Sequence, residues 1–240
     1  MHVPDGFLDA PTSVATGVVA AAGIAVALRC ARRELDDRTA PMAGLVATFV
    51  FAGQMLNFPV GAGTSGHLLG GALAAVLVGP WTAVLCLSVV LMVQALLMAD
   101  GGITAIGTNI TLMGLVGVVA GWAVFVAVRA VLPPRLPLVA PAAAVGAFVS
   151  VPVTAAAFTA LFAVGGNAPV DLSVLLTAML GWHVVIGVGE AAITGLVVAS
   201  VVAARPDLVR GARPLLHART LEVRTPALTT PGATAPEVSS

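Results

Sequence analysis

Charge is scarce in this chain. Only 9% of its 240 residues are Asp, Glu, Lys or Arg, and lysine is absent, so all 11 basic side chains are arginine. Without lysine no GxxxxGK[ST] phosphate loop can exist, and any energy from ATP has to come from a partner. Cysteine occurs twice, at Cys30 and Cys86, in or beside apolar runs and without CxxC spacing. That argues against a disulfide framework and predicts small buried packing residues at both positions. HExxH is missing, as is any internal repeat visible by eye. No basic stretch precedes the first apolar run. The leader instead carries Pro4, Asp5, Gly6 and Asp9, which argues against a cleavable signal and for retention of Met1, with the bulky His2 hindering its removal. Nothing predicts a nucleic-acid partner.

What the chain does have is hydrophobicity: 59% of its residues are apolar, gathered in runs that make it a polytopic membrane protein. Runs long enough for ~30 Å of hydrocarbon at about 1.5 Å per residue fall at about 12–30, 41–57, 81–99, 107–131, 138–164 and 172–204. A shorter run at about 67–79 is split from its successor only by Gly79 and Pro80. The expectation is an all-α integral membrane protein with seven transmembrane helices. Arginines fall in three groups: Arg29, Arg32, Arg33 and Arg38; Arg129 and Arg135; Arg205, Arg210, Arg213, Arg219 and Arg224. Seven spans place all three on one side, which the positive-inside rule makes cytoplasmic, with the C-terminus there and the N-terminus outside. The outer loops then carry Asp5, Asp9, Asp100 and Asp171. Residues 1–11 read as an N-terminal loop, 12–204 as the membrane domain and 205–240 as a disordered cytoplasmic tail containing His217.

Met1 and His2 carry a metal-binding possibility. A terminal amine, the His2 amide nitrogen and the His2 imidazole close two fused chelate rings around one ion and leave a fourth in-plane position for another imidazole. A planar nitrogen field suits Ni(II) or Cu(II), with Co(II) a neighbour, better than tetrahedral Zn(II). His67 offers the fourth nitrogen. It lies in QMLNFPVGAGTSGHLLGG (54–71), where Gly61, Gly63, Gly66, Gly70 and Gly71 would let another backbone approach. The Asp5-Gly6 turn signal would fold residues 1–3 back into the bundle. Taken singly, His2 could be without meaning and His67 an interfacial hydrogen-bonding residue. His183 and Glu190, seven apart, share a face of the last span and are functional candidates because ionisable groups are expensive there; a hydrogen bond to a neighbouring helix is the plainer reading of Glu190. Met55, Met92, Met98, Met113 and Met179 read as packing.

MHVPDGFL at the start, QMLNFPVGAGTSGHLLGG, and ADGGITAIGTNITLMGLVG at 99–117 resemble the CbiM/NikM family, the substrate-binding membrane subunits of energy-coupling factor transporters for cobalt and nickel. The resemblance runs from Met1 to about Ala204. It implies that the Met1 amine, the His2 amide and imidazole, and the His67 imidazole bind Co2+ or Ni2+ in a near-square-planar set. It also implies a six-helix S-component-like core plus an extra N-terminal helix whose loop inserts into it. Its implied partners are a transmembrane coupling subunit, ATP-binding subunits and a small accessory membrane subunit, in the cell membrane. Ile110, Thr111 and Leu112 after Asn109 depart from the family pattern, where an aromatic residue and an Asn are expected. Asn57, Ser65, Gly66, Asp100 and Asn109 are candidates for supporting the loop and ligands. Ala43 and Ala47, four apart, could be a docking face for the coupling subunit or ordinary helix packing. The rival from another class is an intramembrane metalloenzyme using His67, His183 and Glu190; a third, a passive channel or scaffold, would make Met1 and His2 dispensable. The ligand types do not separate cobalt from nickel.

Overall fold

A computed structural model describes residues 1–36, 39–61 and 64–220. Arg38, Gly63, Arg224 and the tail beyond residue 220 lie outside them. The apolar runs fold as helices: α1 (Ala10–Cys30), α2 (Thr39–Gln54), α3 (Gly71–Val78), α4 (Pro80–Leu97), α5 (Ile106–Asn109) continuing through a π-helical stretch (Ile110–Gly117) into α6 (Val118–Val131), α7 (Val139–Gly165) and α8 (Leu172–Ala204). Each expected segment is thus helical. Five helical stretches, Ala10–Arg33, Pro80–Leu97, Ile106–Val131, Leu136–Gly165 and Leu172–Ala204, are long and apolar enough to cross a membrane; Thr39–Gln54 is shorter. Val18, Leu45, Phe49, Leu97, Val119, Val185 and Leu196 stay exposed around the bundle. Such a surface is compatible with hydrocarbon and not with water. The chain is a multi-pass membrane protein.

Two helix starts follow from their sequences. Asp9 caps α1, its Oδ1 accepting from the Thr12 amide at 2.8 Å, with a proline in the first turn, and Asp171 caps α8 through the Ser173 amide at 2.8 Å. α3 is apolar on every side and all eight of its residues are buried, making it a central peg rather than a shallow span. At the α3–α4 turn the buried Glu34 accepts from the Thr82 amide (2.7 Å) and hydroxyl (2.9 Å), placing a carboxylate on the positive end of α4.

Three features were not expected. Residues Phe58–Gly61 (β1) and Thr64–Gly66 (β2) form a small antiparallel hairpin after α2, because Pro59 and the glycines break the helix that the run to 57 would otherwise continue. Residues 206–220 are ordered turns ending in α9 (Arg213–Thr220), against the expected disorder from 205 onward. The reason is tertiary: Val209 and Ala212 are fully buried in the bundle core, so this stretch has apolar surface to hide. Cys86 is buried as expected, while Cys30 is only half-buried; both are free thiols.

Candidate metal centre

The first nine residues do not trail into solvent. Met1, His2, Val3, Phe7 and Leu8 are all buried, and the segment inserts among the loops at one end of the bundle. Its backbone is held at several points. Asn109 accepts from the Val3 amide at 2.7 Å and donates to the Val3 carbonyl at 3.2 Å, and the Gly102 amide donates to the same carbonyl at 2.9 Å. Asp5 accepts from the Thr104 amide at 2.8 Å, and the Asp9 amide donates to Gly165 at 2.7 Å. The expected turn is present, with Gly6 at φ +75°. The close approach of the N-terminal loop falls elsewhere than foreseen: a Cβ at Gly102 would run into the Asp5 amide, whereas Gly66 faces the Val60 and Ile186 side chains, Gly70 the Val50 side chain, and Gly71 the main chain at Gly117 and Val118.

This loop carries a set of nitrogen donors to one place. The Met1 amine donates to the Ser65 carbonyl at 2.5 Å. Burial lowers its pKa from 8.0 to about 4, partly opposed by the Asp100 charge, so it is neutral at ordinary pH with a lone pair to give. The His2 and His67 rings stack with centroids 4.5 Å apart. His2 Nε2 lies 3.2 Å from Gln94 Oε1, an acceptor, and in the tautomer that donates there Nδ1 keeps its lone pair. Nδ1 has no hydrogen-bond partner, although Asp100 Oδ1 is 3.1 Å away. His67 Nδ1 donates to its neighbour's carbonyl on Leu68 at 2.7 Å, which leaves Nε2 buried and without a partner among the described residues. The contact with His2, followed by the Asn57 amide at 3.2 Å, holds the Asp100 carboxyl below its usual range.

The expected support residues therefore gather here: Ser65 at the amine, Asp100 and Asn57 beside His2, Asn109 on Val3, and Gly66 in the strand leading to His67. The α8 residues join from below. Along one face of that helix Met179 Sδ meets Thr64, Ile186 packs at Gly66, and Glu190 accepts from the Leu69 (2.9 Å) and Gly70 (2.6 Å) amides. His183 sits between them, wholly buried, its Nδ1 bonded to the Met179 carbonyl at 2.7 Å and within electrostatic reach of the Met1 amine and His67. Both Glu190 oxygens hold backbone amides, which is the plainer reading of that residue and leaves the metalloenzyme set without its carboxylate. No group of three or more His, Cys, Asp or Glu side chains could hold a metal among the described residues, so a site here has to draw on main-chain nitrogen.

Two buried glutamines were missed. Gln94 contacts His2, and Gln54 donates to the Leu69 carbonyl at 2.7 Å. The signal was available, since a polar residue inside the run LMVQALLM costs as Glu190 does. Away from the site, Ala43 and Ala47 are half-buried, and Ala43 packs on the core with its carbonyl 3.5 Å from Cys86 Sγ. The outward face of α2 is formed instead by Gly44, Leu45, Thr48 and Phe49.

Residues 2–208 match the family model described as the CbiM cobalt uptake substrate-specific transmembrane region. The chain belongs to the CbiM family. Among relatives, a Haloquadratum walsbyi protein provisionally named as a metal transport protein is 39% identical over 87% of this chain and 93% of its own length. An Archaeoglobus fulgidus protein, provisionally named as a fused nickel transport protein NikMN, is 39% identical over 87% of this chain and 68% of its own. A crystal structure of a transition metal transporter superposes with a TM-score of 0.79 at 28% identity, covering 93% of this CbiM-family chain and all of the other. The family accounts for a membrane transport component rather than an enzyme.

Proposed function

We propose that this chain is the substrate-capture membrane subunit of an energy-coupling factor importer for Co(II) or Ni(II). The ion is bound by the Met1 amine, the His2 amide nitrogen, His2 Nδ1 and His67 Nε2. The single observation that carries this reading is the burial of an N-terminal amine beside two imidazoles whose remaining nitrogens are committed elsewhere. Each donor then has one lone pair directed by its hydrogen bonds, which is how protein ligands are oriented for a metal. The amide proton of His2 leaves as the fused chelate closes. The His2 and His67 rings lie 26° from parallel, so bringing His67 Nε2 into the plane of His2 calls for rotation of the His67 ring.

The cobalt description of the family and the nickel name of the Archaeoglobus relative support the cargo. A planar nitrogen set favours these ions over Zn(II) and leaves cobalt and nickel close together. Asp5, Asp9, Asp100 and Asp171 near this end would draw cations toward it, with the N-terminus outside and the arginine-bearing end in the cytoplasm. The chain acts by binding. Movement across the membrane falls to a coupling subunit docked beside α2, paired ATP-binding subunits and a small accessory membrane subunit.

The test is titration calorimetry of detergent-purified protein with Ni(II), Co(II), Cu(II) and Zn(II), beside a version bearing one extra Ala before Met1. Tight one-to-one binding of Ni(II) or Co(II), lost on extension, is the expected result. Equal binding in both would remove the terminal amine from the site.

A further inference from the structure

A large cavity lies at the other end of the bundle and has no part in the metal site. α6 ends there, since the helical stretch Ile106–Val131 runs about 39 Å away from the N-terminal loop. The cavity measures about 1060 Å³ and lies between α6 and the ordered 206–220 segment. Trp122, Phe125 and Val126 form an apolar wall on α6, and Arg129 stands at its end; Arg210 and Arg213 face it from the segment, and Asp36 and Asp207 also line it.

The charges there are unbalanced in a particular way. Arg213 is paired with Asp36 at 3.1 Å, and Asp207 with Arg205 at 2.8 Å. Arg129 has only the Pro133 carbonyl at 3.3 Å, and among the described residues neither it nor Arg210 has a carboxylate partner. Both are half-buried. Val126 of the apolar wall and Val119, seven residues before it on the same face of α6, are both exposed, so a hydrocarbon chain running out along that face would lie on apolar surface. Two guanidiniums at the mouth of an apolar slot that opens onto the bilayer match an anionic headgroup with its acyl chain attached. A free phosphate would gain nothing from Trp122 or Phe125.

We propose that this cavity binds one anionic phospholipid, its phosphate on Arg129 and Arg210 and its acyl chain along Trp122 and Val126. The lipid would tie the 206–220 segment to the end of α6. This site is independent of metal capture and stands or falls separately from it.

The test uses the full chain in detergent with Trp81→Phe and Trp182→Phe, leaving Trp122 as the one tryptophan. Brominated phosphatidylglycerol and brominated phosphatidylcholine are titrated and Trp122 quenching is followed. Saturable quenching by phosphatidylglycerol is expected at concentrations at least about tenfold below those for phosphatidylcholine. Arg129→Gln with Arg210→Gln should raise the half-point on the order of 30-fold. Arg29→Gln with Arg32→Gln, elsewhere among the arginines, should leave it unchanged. Far-UV circular dichroism verifies the fold of each variant, and Arg210→Gln alone serves if the double change disturbs it. Equal quenching by the two lipids would overturn the proposal, as would an equal shift in the Arg29/Arg32 control. Displacement by millimolar inorganic phosphate would mark a free-anion site, and loss of quenching on adding partner subunits would mark a protein contact; either rejects the lipid.

Discussion

Gln94 Oε1 stands 3.2 Å from His2 Nε2, placed to accept from the tautomer that carries its proton there. With Nε2–H donating, Nδ1 is the free nitrogen, and only Nδ1 can close a chelate ring with the His2 amide. Gln94→Leu removes the acceptor while keeping an apolar side chain of similar size. Ni(II) or Co(II) affinity should fall about 10- to 100-fold, the usual cost of losing a ligand's outer partner. Gln94→Glu, which keeps an oxygen there, should bind far better than Gln94→Leu in calorimetry. Equal affinity for all three proteins would remove Gln94 from the site.

Asn109 holds Val3 through two hydrogen bonds, at 2.7 and 3.2 Å. Asn109→Ala should free residues 1–6 at a cost of about 2 kcal/mol, taking about 1 kcal/mol for each bond. Hydrogen exchange should rise in residues 2–6 and not in α7 or α8. Unchanged exchange in the loop would show that its other anchors suffice.

A methyl group at Gly102 has nowhere to go, since it would meet the Asp5 amide and the Pro4 carbonyl carbon, both main chain. Gly102→Ala should displace the N-terminal loop and abolish tight metal binding with helical content intact. Wild-type affinity in this variant would mean that the loop position is not needed for capture.

The Met1 amine sits near pKa 4 in the folded protein against 8.0 for an ordinary terminus, because burial disfavours its charge. Between those values the unfolded chain holds a proton that the folded chain lacks. Stability therefore falls as pH drops from 8 toward 4, with a slope from this group of at most about 1.4 kcal/mol per pH unit. Melting temperature measured across this range should follow that sign, and N-terminal acetylation should flatten it. A slope unaltered by acetylation would assign the dependence to other groups.

Glu190 caps the Leu69 and Gly70 amides with both oxygens. Glu190→Leu should leave two buried donors unsatisfied, about 1–3 kcal/mol each, and lower the melting temperature markedly. Glu190→Gln retains one acceptor and should fall between. If instead Glu190→Leu melts like the wild type while losing metal, the residue acts as a ligand after all.

The helices were legible because each is a long apolar run between Gly, Pro or Asp signals, and a bilayer demands that pattern whatever the tertiary arrangement. The meeting of Met1, His2 and His67 was legible too, through the chelate rings that only a terminal His-2 sequence can form and through a resemblance carried by specific motifs. The hairpin at 58–66, Glu34 on α4 and the ordered 206–220 segment were not. The last two depend on contacts between residues far apart in sequence, such as Glu34 with Thr82, and the hairpin on breakers inside an apolar run, none of which a helical periodicity encodes.

From sequence alone came the membrane, the order of the helices and the proposed nitrogen donors, all properties of local composition or of covalent geometry. Only the tertiary structure placed an acceptor beside one nitrogen of each histidine: the Gln94 side chain at His2, and the Leu68 and Met179 carbonyls at His67 and His183. It also decided that His183 belongs beneath the same loop. The reason is that a hydrogen bond's direction is set by where two groups meet in space, and a one-dimensional chain records only which groups it has.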